Sequence, residues 1–384
     1  MEAESHGIRS GRNGAGTAGQ PKREETKIHQ EWRHMENLKK LIDRLEDGQK
    51  LSKEEWAALI DGRTPELAEE VFAKARAVRE RVYGKKIYVR GLIEVSNYCK
   101  NDCYYCGIRR SNRNVSRYRL SREEILECCA AGYELGFRTF VMQGGEDPVM
   151  TDDWAAETVA AIRREYPDCA ITLSLGEKER ESYQRFFDAG ANRYLLRHET
   201  ADVCHYGKLH PQELSLEHRM ECLKNLKEIG YQTGCGFMVG SPYQTTECLA
   251  KDMVYIGELQ PEMVGIGPFI PQHDTPFGEE AAGSLELTVY LLGLLRLLLP
   301  TVLLPVTTAL GTIHPKGREL GVLAGANVVM PNLSPLNVRK KYMLYDNKIA
   351  TGMEAAESLN LLRESMAAIG YEVVVDRGDY KGKE

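Results

Sequence analysis

The chain has 384 residues, of which 42% are hydrophobic and 28% are charged, and its formal net charge is −6. This composition is typical of a soluble globular protein with a large core, arranged as one large domain or two smaller ones. Because the charge shows no basic surplus, we expect no nucleic-acid partner. The most apolar stretch, residues 285–305, is interrupted by polar and charged residues and by Pro300. We therefore expect no membrane span.

Residues 1–27 are rich in Gly, Arg, Glu and Ser and contain no apolar run. A secretory signal peptide needs an apolar region, and the glutamates of this stretch are atypical of an organelle transit peptide. We therefore predict a flexible tail over residues 1–27 and a cytoplasmic protein.

All ten cysteines lie between Cys99 and Cys248. In a protein without a secretory signal, disulfides are not expected and the thiols should be reduced. The seven cysteines that follow Cys106 show no ligand spacing, so we predict that they are core or structural residues.

The N-terminal part of the chain has helical patterns. Apolar residues recur at helical spacing within residues 38–45. Ser52 and Glu55 have the spacing of a capping box, and Pro65 stands where a first helical residue is expected. These patterns predict N-terminal helices over residues 28–83.

From Ile87 onward, short β-branched runs alternate with amphipathic segments, which predicts parallel strands covered by helices. The predicted strands cover residues 91–95, 139–143, 170–175, 193–196, 234–239, 263–266, 301–306 and 327–330. The predicted helices cover residues 121–135, 153–166, 178–189, 213–229, 245–258, 284–299, 315–322 and 353–369.

Eight such units favour an α/β fold of the (β/α)8 TIM-barrel type over residues 84–335, in which functional residues follow the strands. The pattern alone leaves an open, doubly wound sheet as the alternative. Residues 336–384 are predicted to form a C-terminal helical segment that closes the barrel.

Cys99, Cys103 and Cys106 follow the first predicted strand of the barrel with the spacing C-x3-C-x2-C. Four-iron clusters normally take four cysteines, so three thiolates would leave one iron open. S-adenosylmethionine (SAM) can chelate that iron through its amino and carboxylate groups. Reduction of the cluster then cleaves the sulfonium and gives methionine and a 5′-deoxyadenosyl radical.

Three other interpretations of the cysteine spacing are a helix face, a zinc site and a chance group of core residues. The spacing also fits one buried helix face, but polar residues such as Asn101 and Asp102 and the following Gly107 favour a loop. A zinc site normally has four ligands in paired spacing, and no fourth Cys or His lies nearby. A chance group of core cysteines does not account for the position after a strand.

Polar or small residues also follow other predicted strands. Gln143, Gly144, Gly145 and Glu146 follow the second strand, where two glycines let the backbone approach a ligand closely. Further residues of this kind are Thr172 and Ser174 on the third strand, Thr307 and Thr308 after the seventh, and Met330 on the eighth.

Arg197 and Glu199 follow the fourth strand, where alternation directs both side chains to the same face. A guanidinium and a carboxylate together suit a ligand with both charges, such as the methionyl end of SAM, although an ordinary ion pair is the alternative. Tyr342 and Tyr345 are three residues apart, which predicts two tyrosines on one helix face.

Taken together, these motifs resemble the HydE family of FeFe-hydrogenase maturases, which are radical SAM proteins. The resemblance runs from about residue 35 to residue 375. Biotin synthase and methylornithine synthase are similar to the chain less closely. The matching stretches are residues 96–112, 118–120, 143–148, 172–177, 194–200, 263–271, 307–312 and 327–332.

The resemblance implies a complete (β/α)8 TIM barrel with an N-terminal helical extension, one 4Fe–4S cluster on the three cysteines, and bound SAM. The residues that it assigns to SAM binding are Tyr105, Gln143, Gly144, Gly145, Glu146, Ser174, Arg197, Glu199, Arg219 and Met238. The residues that it assigns to a deeper substrate cavity are Thr172, Thr307, Thr308, Met330, Tyr342 and Tyr345.

The resemblance also implies partners. The substrate would be a small iron–cysteine–carbonyl–cyanide complex made by the companion maturase HydG, and the product would be used on the scaffold HydF. Two departures from the family pattern stand out. No cysteine follows Cys248, so we expect a single cluster, and Gly144 stands where some relatives have serine.

Two rival functions fit parts of the sequence. The first is another biotin-synthase-like radical enzyme, such as one that makes 3-methylornithine. The second is an iron–sulfur carrier without enzymatic activity, which would need no SAM cavity.

Overall fold

The structure is a computed structural model in which residues 21–349 and 351–382 are described, with side chains described from residue 32 onward. Three N-terminal helices come first: α1 (Pro21–Glu46), α2 (Lys53–Asp61) and α3 (Pro65–Tyr83). Helix α1 begins inside the predicted tail, and residues 1–20 of that tail lie outside the described residues.

Local sequence determines where the next two helices begin. The Ser52 hydroxyl accepts a hydrogen bond from the Glu55 backbone N–H, and the Glu55 carboxylate accepts one from the Ser52 N–H. Pro65 is the first residue of α3, after the cap residue Thr64. Both predicted helix starts are confirmed. Helix α2 packs against α9 (Thr246–Leu259), and α3 packs against α10 (Leu285–Leu298).

The strands of the described chain are short and pair in parallel. They are β1 (Lys86–Val89), β2 (Gly91–Ser96), β3 (Thr139–Gly144), β4 (Ala170–Ser174), β5 (Arg193–Leu195), β6 (Gln232–Cys235), β7 (Met238–Val239), β8 (Met263–Val264), β9 (Gly267–Pro268), β10 (Pro305–Val306), β11 (Val328–Val329) and β12 (Glu372–Val374).

Helices lie between most of these strands. Besides α1–α3, α9 and α10, they are α4 (Arg122–Glu134), α5 (Asp152–Glu165), α6 (Arg180–Asp188), α7 (Val203–Leu209), α8 (Leu216–Ile229), α11 (Thr308–Ile313), α12 (Gly317–Leu323), α13 (Leu336–Arg339) and α14 (Ala355–Ala368).

The strand ladders form three sheets. Their orders are β2-β3-β4-β5-β6-β8, β10-β11-β1-β12 and β7-β9. Isolated parallel bridges, from Leu92 to Asn332 and from Met263 to Leu303, connect the two larger sheets at single residue pairs. The parallel α/β class is confirmed. The complete TIM barrel is not, because the ladders of the described residues do not join into one closed sheet.

Two predicted strands are divided. The strand predicted over residues 234–239 is broken at Gly236, whose φ is +154° and whose added Cβ would lie 2.0 Å from the Gly265 carbonyl oxygen. Only glycine fits such a close backbone approach. The neighbouring strand, predicted over residues 263–266, ends after Val264 and is followed by β9.

Two strands and one surface cysteine differ from the predictions. Strands β1 and β12 were not predicted, and they pair with each other through Ile87 and Val373. Of the seven cysteines predicted in the core, six are buried, but Cys204 is exposed near the start of α7. The main core cluster extends from the N-terminal helices through the sheets, and two smaller clusters of buried residues are separate from it.

The apolar stretch at residues 285–305 forms the buried helix α10 and the segment leading into β10. Within the described part of the chain, no helix combines the length and the apolar character that a membrane span needs.

Candidate active site

A cavity of about 330 Å³ lies where the carboxyl ends of the strands meet. It brings together all the predicted site residues except one. The predicted residues that line it are Cys99, Cys103, Tyr105, Cys106, Gln143, Gly144, Gly145, Glu146, Ser174, Arg197, Glu199, Arg219, Met238, Thr307, Thr308, Met330, Tyr342 and Tyr345.

The exception is Thr172. It is buried on β4, and its hydroxyl has no hydrogen-bond partner, but it does not line the cavity. Ser174, which does line the cavity, is two residues further along the same strand. Side chains two residues apart on a strand share a face, so Thr172 lies one layer deeper than the cavity wall.

The cysteine loop lies directly against the glycine turn after β3. A Cβ added to Gly145 would be 2.2 Å from the Tyr98 carbonyl oxygen and 2.8 Å from the Cys99 Cβ. The Gly145 N–H also donates to the Ser96 carbonyl oxygen at 3.1 Å. The sequence therefore needs glycine at 145, because any larger residue would push the turn away from the first cysteine.

The three thiols of this loop lie close enough to influence one another. Burial, the largest cause, raises the pKa of each thiol, to about 12 for Cys106, and the neighbouring thiols add to this effect for Cys103 and Cys106. A bound metal centre would offset this effect, because a cation favours the thiolate. Three cysteine sulfurs on one loop are a donor set that suits an iron–sulfur cluster.

The donor set bears on which metal centre the loop could hold. Zinc sites normally have four ligands, and a four-iron cluster that takes three cysteines keeps one iron open for another ligand. Among the residues that the structure describes, no group of three or more His, Cys, Asp or Glu side chains has the geometry of a single-ion site.

Hydrogen bonds between side chains of the cysteine loop stabilise its conformation. Arg109 donates two hydrogen bonds to the Asp102 carboxylate, at 2.7 and 2.6 Å, and the Ser111 hydroxyl donates a third at 2.8 Å. The hydrogen bonds from Arg109 are the main reason that the pKa of Asp102 lies well below its usual range. Asp102 stands between the first two cysteines, so this network fixes the path of the loop.

A second network joins the loop to the turn after β3. The Asp147 carboxylate accepts hydrogen bonds from the Ser96 hydroxyl at 2.7 Å and from Arg119 at 2.6 and 2.9 Å. The Arg119 guanidinium also lies over the Tyr98 ring, 3.6 Å from its centroid. These contacts keep the strand end, the cysteine loop and the glycine turn in one position.

Arg197 and Glu199 form an ion pair at the cavity wall, which is the alternative that their sequence pattern left open. Arg197 Nη2 and Glu199 Oε2 are 3.0 Å apart, but both atoms are buried without a hydrogen-bond partner. Glu199 also has a φ of +66°, which is costly for a residue with a side chain. A ligand with a carboxylate and an ammonium group, such as SAM, would satisfy both atoms.

Arg219 is fixed beside this pair. Its Nε donates to Glu177 Oε1 at 2.7 Å, and its Nη1 donates to the Arg197 carbonyl oxygen at 3.0 Å. Glu146 Oε1 in turn accepts from the Glu177 backbone N–H at 3.1 Å. The loops after β3, β4 and β5 thus converge on one charged corner of the cavity.

Tyr105 forms a buried pair with His210, which was not predicted. His210 Nδ1 is 3.0 Å from the Tyr206 carbonyl oxygen, which can only accept, so Nδ1 carries the proton. His210 Nε2, 3.1 Å from the Tyr105 hydroxyl, is therefore an acceptor. Burial, aided by the positive charge of Arg219, lowers the pKa of His210 to about 3, so the ring stays neutral.

The wall of the deep cavity contains a buried ion pair that was also not predicted. The Glu94 carboxylate accepts a short hydrogen bond from Lys348 Nζ and another from Asn332 Nδ2 at 2.9 Å. Lys348 Nζ also donates to the Tyr342 carbonyl oxygen at 3.0 Å. Glu94 interrupts an otherwise apolar strand, which is the one signal in the sequence that could have revealed it.

Tyr342 and Tyr345 line the cavity, but the predicted helix face is wrong. Helix α13 ends at Arg339, and both tyrosines lie in the irregular segment after it. This segment is held by tertiary contacts, including the hydrogen bond from the Gly107 N–H to the Leu344 carbonyl oxygen at 2.9 Å.

Comparison with known proteins gives a consistent result. Residues 93–256 match the family profile of the Radical SAM superfamily. The chain is 46% identical to the [FeFe] hydrogenase maturase subunit HydE of Thermotoga maritima, over 73% of this chain and 80% of that protein. It is 31% identical to the 3-methylornithine synthase of Methanosarcina acetivorans, over 77% of this chain and 83% of that protein.

Solved structures show the same fold. Methylornithine synthase (PylB) superimposes with a TM-score of 0.76 and 26% identity, covering 87% of this chain and 97% of that one. HydG from Carboxydothermus hydrogenoformans superimposes with a TM-score of 0.73 and 23% identity, covering 91% of this chain and 82% of that one. At that identity, the likeness to HydG concerns the fold alone.

Proposed function

This chain belongs to the HydE family within the radical SAM superfamily, and we propose from this premise that it cleaves SAM reductively during assembly of the [FeFe]-hydrogenase active site. One observation carries the proposal. The three cysteines share a cavity with the ion pair of Arg197 and Glu199, whose facing atoms make no hydrogen bond. A cluster site and a site for a zwitterionic ligand are thus adjacent.

Different residues of the chain would hold the cluster and bind SAM. Cys99, Cys103 and Cys106 would hold the cluster, which supplies, when bound and reduced, the electron that cleaves SAM to methionine and a 5′-deoxyadenosyl radical. Arg197 would receive the carboxylate of the methionyl group, and Glu199 its ammonium group. Burial of Glu199 would strengthen its contact by excluding water, whereas Arg197 is partly exposed.

The glycine turn would shape the same subsite. Gly145 lets the turn pack directly against the first cysteine, and Gly144, Gly145 and Glu146 line the cavity there. Ser174 and Arg219 add a hydroxyl and a fixed positive charge to the adjoining wall. The other lining residues proposed for SAM are Tyr105, Gln143 and Met238.

The deeper part of the cavity would receive the substrate. Thr307 has a buried hydroxyl without a hydrogen-bond partner, and Thr308, Met330, Tyr342 and Tyr345 line the same space. Polar groups of this kind suit a small ligand with several acceptor atoms. The iron–cysteine–carbonyl–cyanide complex from HydG, and delivery of the product to HydF, remain predictions from the family resemblance.

Two finer predictions belong to the same proposal. A single cluster is supported by the sequence, in which no cysteine follows Cys248. Closure of the strands into a complete barrel is supported by the two isolated bridges, Leu92 to Asn332 and Met263 to Leu303, which connect both edges of the six-stranded sheet to the four-stranded sheet.

The first test measures SAM cleavage. After anaerobic reconstitution with iron and sulfide, the wild type should release 5′-deoxyadenosine on reduction. Combined replacement of Cys99, Cys103 and Cys106 by Ala should abolish both iron binding and cleavage. Cys204→Ala is the matched control, because Cys204 is exposed and lies outside the cavity. Cleavage by the triple variant would contradict the proposal.

The second test separates hydrogenase maturation from methylornithine synthesis, the rival supported by 31% identity. A strain that lacks its HydE gene should regain hydrogenase activity when this chain is expressed anaerobically. Purified enzyme incubated with lysine and SAM should form no 3-methylornithine. The opposite pair of results would favour the rival and overturn the maturation role, while leaving SAM cleavage intact.

A further inference from the structure

Arg117 makes an unusual set of contacts behind the cysteine loop. Its Nη1 donates hydrogen bonds to the carbonyl oxygens of Asn97, over a short distance, and of Ile108 at 2.8 Å. Its Nη2 donates to the carbonyl oxygens of Arg109 at 2.7 Å and of Asn112 at 3.0 Å. One side chain thus serves four backbone acceptors.

The four carbonyl acceptors lie on both sides of the three cysteines in the sequence. The Asn97 carbonyl precedes Cys99, whereas the other three carbonyls follow Cys106. Arg117 therefore connects the two ends of the segment that contains all three cysteines. It does not line the cavity itself, so it touches neither substrate nor SAM.

From this geometry we propose that Arg117 is a positioning residue that clips the ends of the cysteine loop together and so retains the iron–sulfur cluster. The proposal rests on the proposed function, because it needs a cluster on Cys99, Cys103 and Cys106. A guanidinium suits this task, since its donors have a fixed planar arrangement that can reach acceptors in several directions.

Holding the two ends of the loop together limits how far the three cysteines can move apart. A loop whose ends are already joined loses less conformational entropy when its cysteines bind one cluster, so the cluster should be released more slowly. Helices and strands do not supply this constraint here, because the segment between β2 and α4 is irregular apart from an isolated bridge from Ser96 to Arg119. Asn97 adds a parallel tie, since its Nδ2 donates to the Ser116 carbonyl oxygen at 2.9 Å.

The test compares iron release from reconstituted full-length proteins. Wild type, R117M, R117K and R113M are loaded anaerobically to equal iron content and mixed with a ferrous chelator. R113M is the matched control, because Arg113 is an exposed arginine of the same loop with no hydrogen bond or ion pair among the described side chains.

R117M should lose iron about tenfold faster than the wild type, because hydrogen bonds from a charged donor to several acceptors disappear together. R117K should lie between the two, since one ammonium nitrogen cannot reach all four carbonyls. R113M should match the wild type. The electron paramagnetic resonance spectrum of the reduced cluster should broaden in R117M and not in R113M, which a loss of global stability alone would not produce.

Release from R117M at the wild-type rate would overturn the proposal. Release from R117K at the wild-type rate would also overturn it, because charge alone would then suffice, and R117K decides the question if R117M does not fold. Equal acceleration in R113M would show a general charge effect and would overturn it as well. A wild type that binds no four-iron cluster would instead refute the proposed function.

Discussion

The cysteine loop and the wall of the deep cavity are built in different ways. The loop is held by residues that are near one another in sequence, such as Asp102 with Arg109 and Arg117 with the carbonyls around it. The wall is held by Glu94 and Lys348, which are 254 residues apart and buried. The contrast shows that many contacts of the proposed cluster site are local in sequence, whereas the proposed substrate cavity exists only after the C-terminal segment packs onto the first strands.

The difference extends to the chemistry of the contacts. In the loop, charged groups bind backbone carbonyls or form bidentate pairs such as Arg109 with Asp102. In the wall, a carboxylate and an ammonium group face each other almost without solvent, with 1% and 7% of their side-chain surfaces exposed. Such a pair contributes little over an apolar pair of similar size, but losing one partner is costly.

The largest effect is expected for Lys348→Met. It leaves the buried Glu94 carboxylate without its cation, which should lower the free energy of unfolding by about 3–5 kcal/mol. Urea unfolding of the cluster-free protein measures this loss. Binding of iron by the folded fraction should persist, because Lys348 makes its hydrogen bonds to Glu94 and Tyr342 and not to the cysteine loop.

A double variant sharpens this result. Combining Lys348→Met with Glu94→Leu removes both charges and should recover most of the stability. If Lys348→Met alone changed the free energy of unfolding by less than about 1 kcal/mol, the wall would not depend on the pair. If it also released iron, the two regions would not be independent.

A smaller effect is expected for Gly145→Ala. The new methyl group would overlap the Tyr98 carbonyl oxygen and the Cys99 Cβ, and overpacking of this kind costs up to about 3 kcal/mol. Because the strain falls on Cys99, the iron content after reconstitution should decrease. The wall of the deep cavity, with its ion pair of Glu94 and Lys348, should be unchanged.

Gly207→Ala is the control for this variant, since nothing lies within 4 Å of the Cβ position at Gly207. It should keep full iron content and stability. Wild-type iron binding by Gly145→Ala would show that the turn and the loop can separate, and the local character of the cluster site would need revision.

The smallest effect concerns pH and the pair of Tyr105 with His210. The pKa of His210 is lowered in the fold from 6.5 to about 3, so below pH 6.5 only the unfolded chain takes up this proton. The stabilisation is complete above 6.5 and is lost as pH falls toward 3. Between about pH 7 and pH 5 it should account for up to about 2 kcal/mol of lost stability.

His210→Gln removes this titration. The variant should be less stable at pH 7, because it loses the ring that stacks on Tyr206, but its free energy of unfolding should decline less between pH 7 and pH 5. Denaturant midpoints at several pH values measure the difference. Parallel pH profiles of the wild type and the variant would mean that folding does not lower the pKa of His210.

Much of the cluster site could be predicted from sequence because its determinants are local. The three cysteines, the glycine turn and the residues after β4 and β5 all lie in short motifs, and the structure brings them into one cavity. Thr172 is the exception, because its place one layer below Ser174 depends on how far the cavity extends into the sheet.

Other features could not be predicted from local patterns. Strands β1 and β12 are short and pair with each other from opposite ends of the described chain, so neither has a neighbour in sequence that signals it. The spacing of Tyr342 and Tyr345 suggested a helix, but the segment follows tertiary contacts instead of helical hydrogen bonds. For the buried ion pair of Glu94, the one signal in the sequence was a charged residue within an otherwise apolar strand.

The sequence by itself determined the cysteine spacing, the glycine at 145, the alternation of strands and helices, and the family to which the chain belongs. These depend on backbone conformation and ligand spacing, which act over a few residues. Only the tertiary structure decided that Arg117 ties the two ends of the cysteine loop together and that Lys348 meets Glu94. Hydrogen bonds and ion pairs form wherever folding brings donors and acceptors within about 3 Å, whatever their separation along the chain.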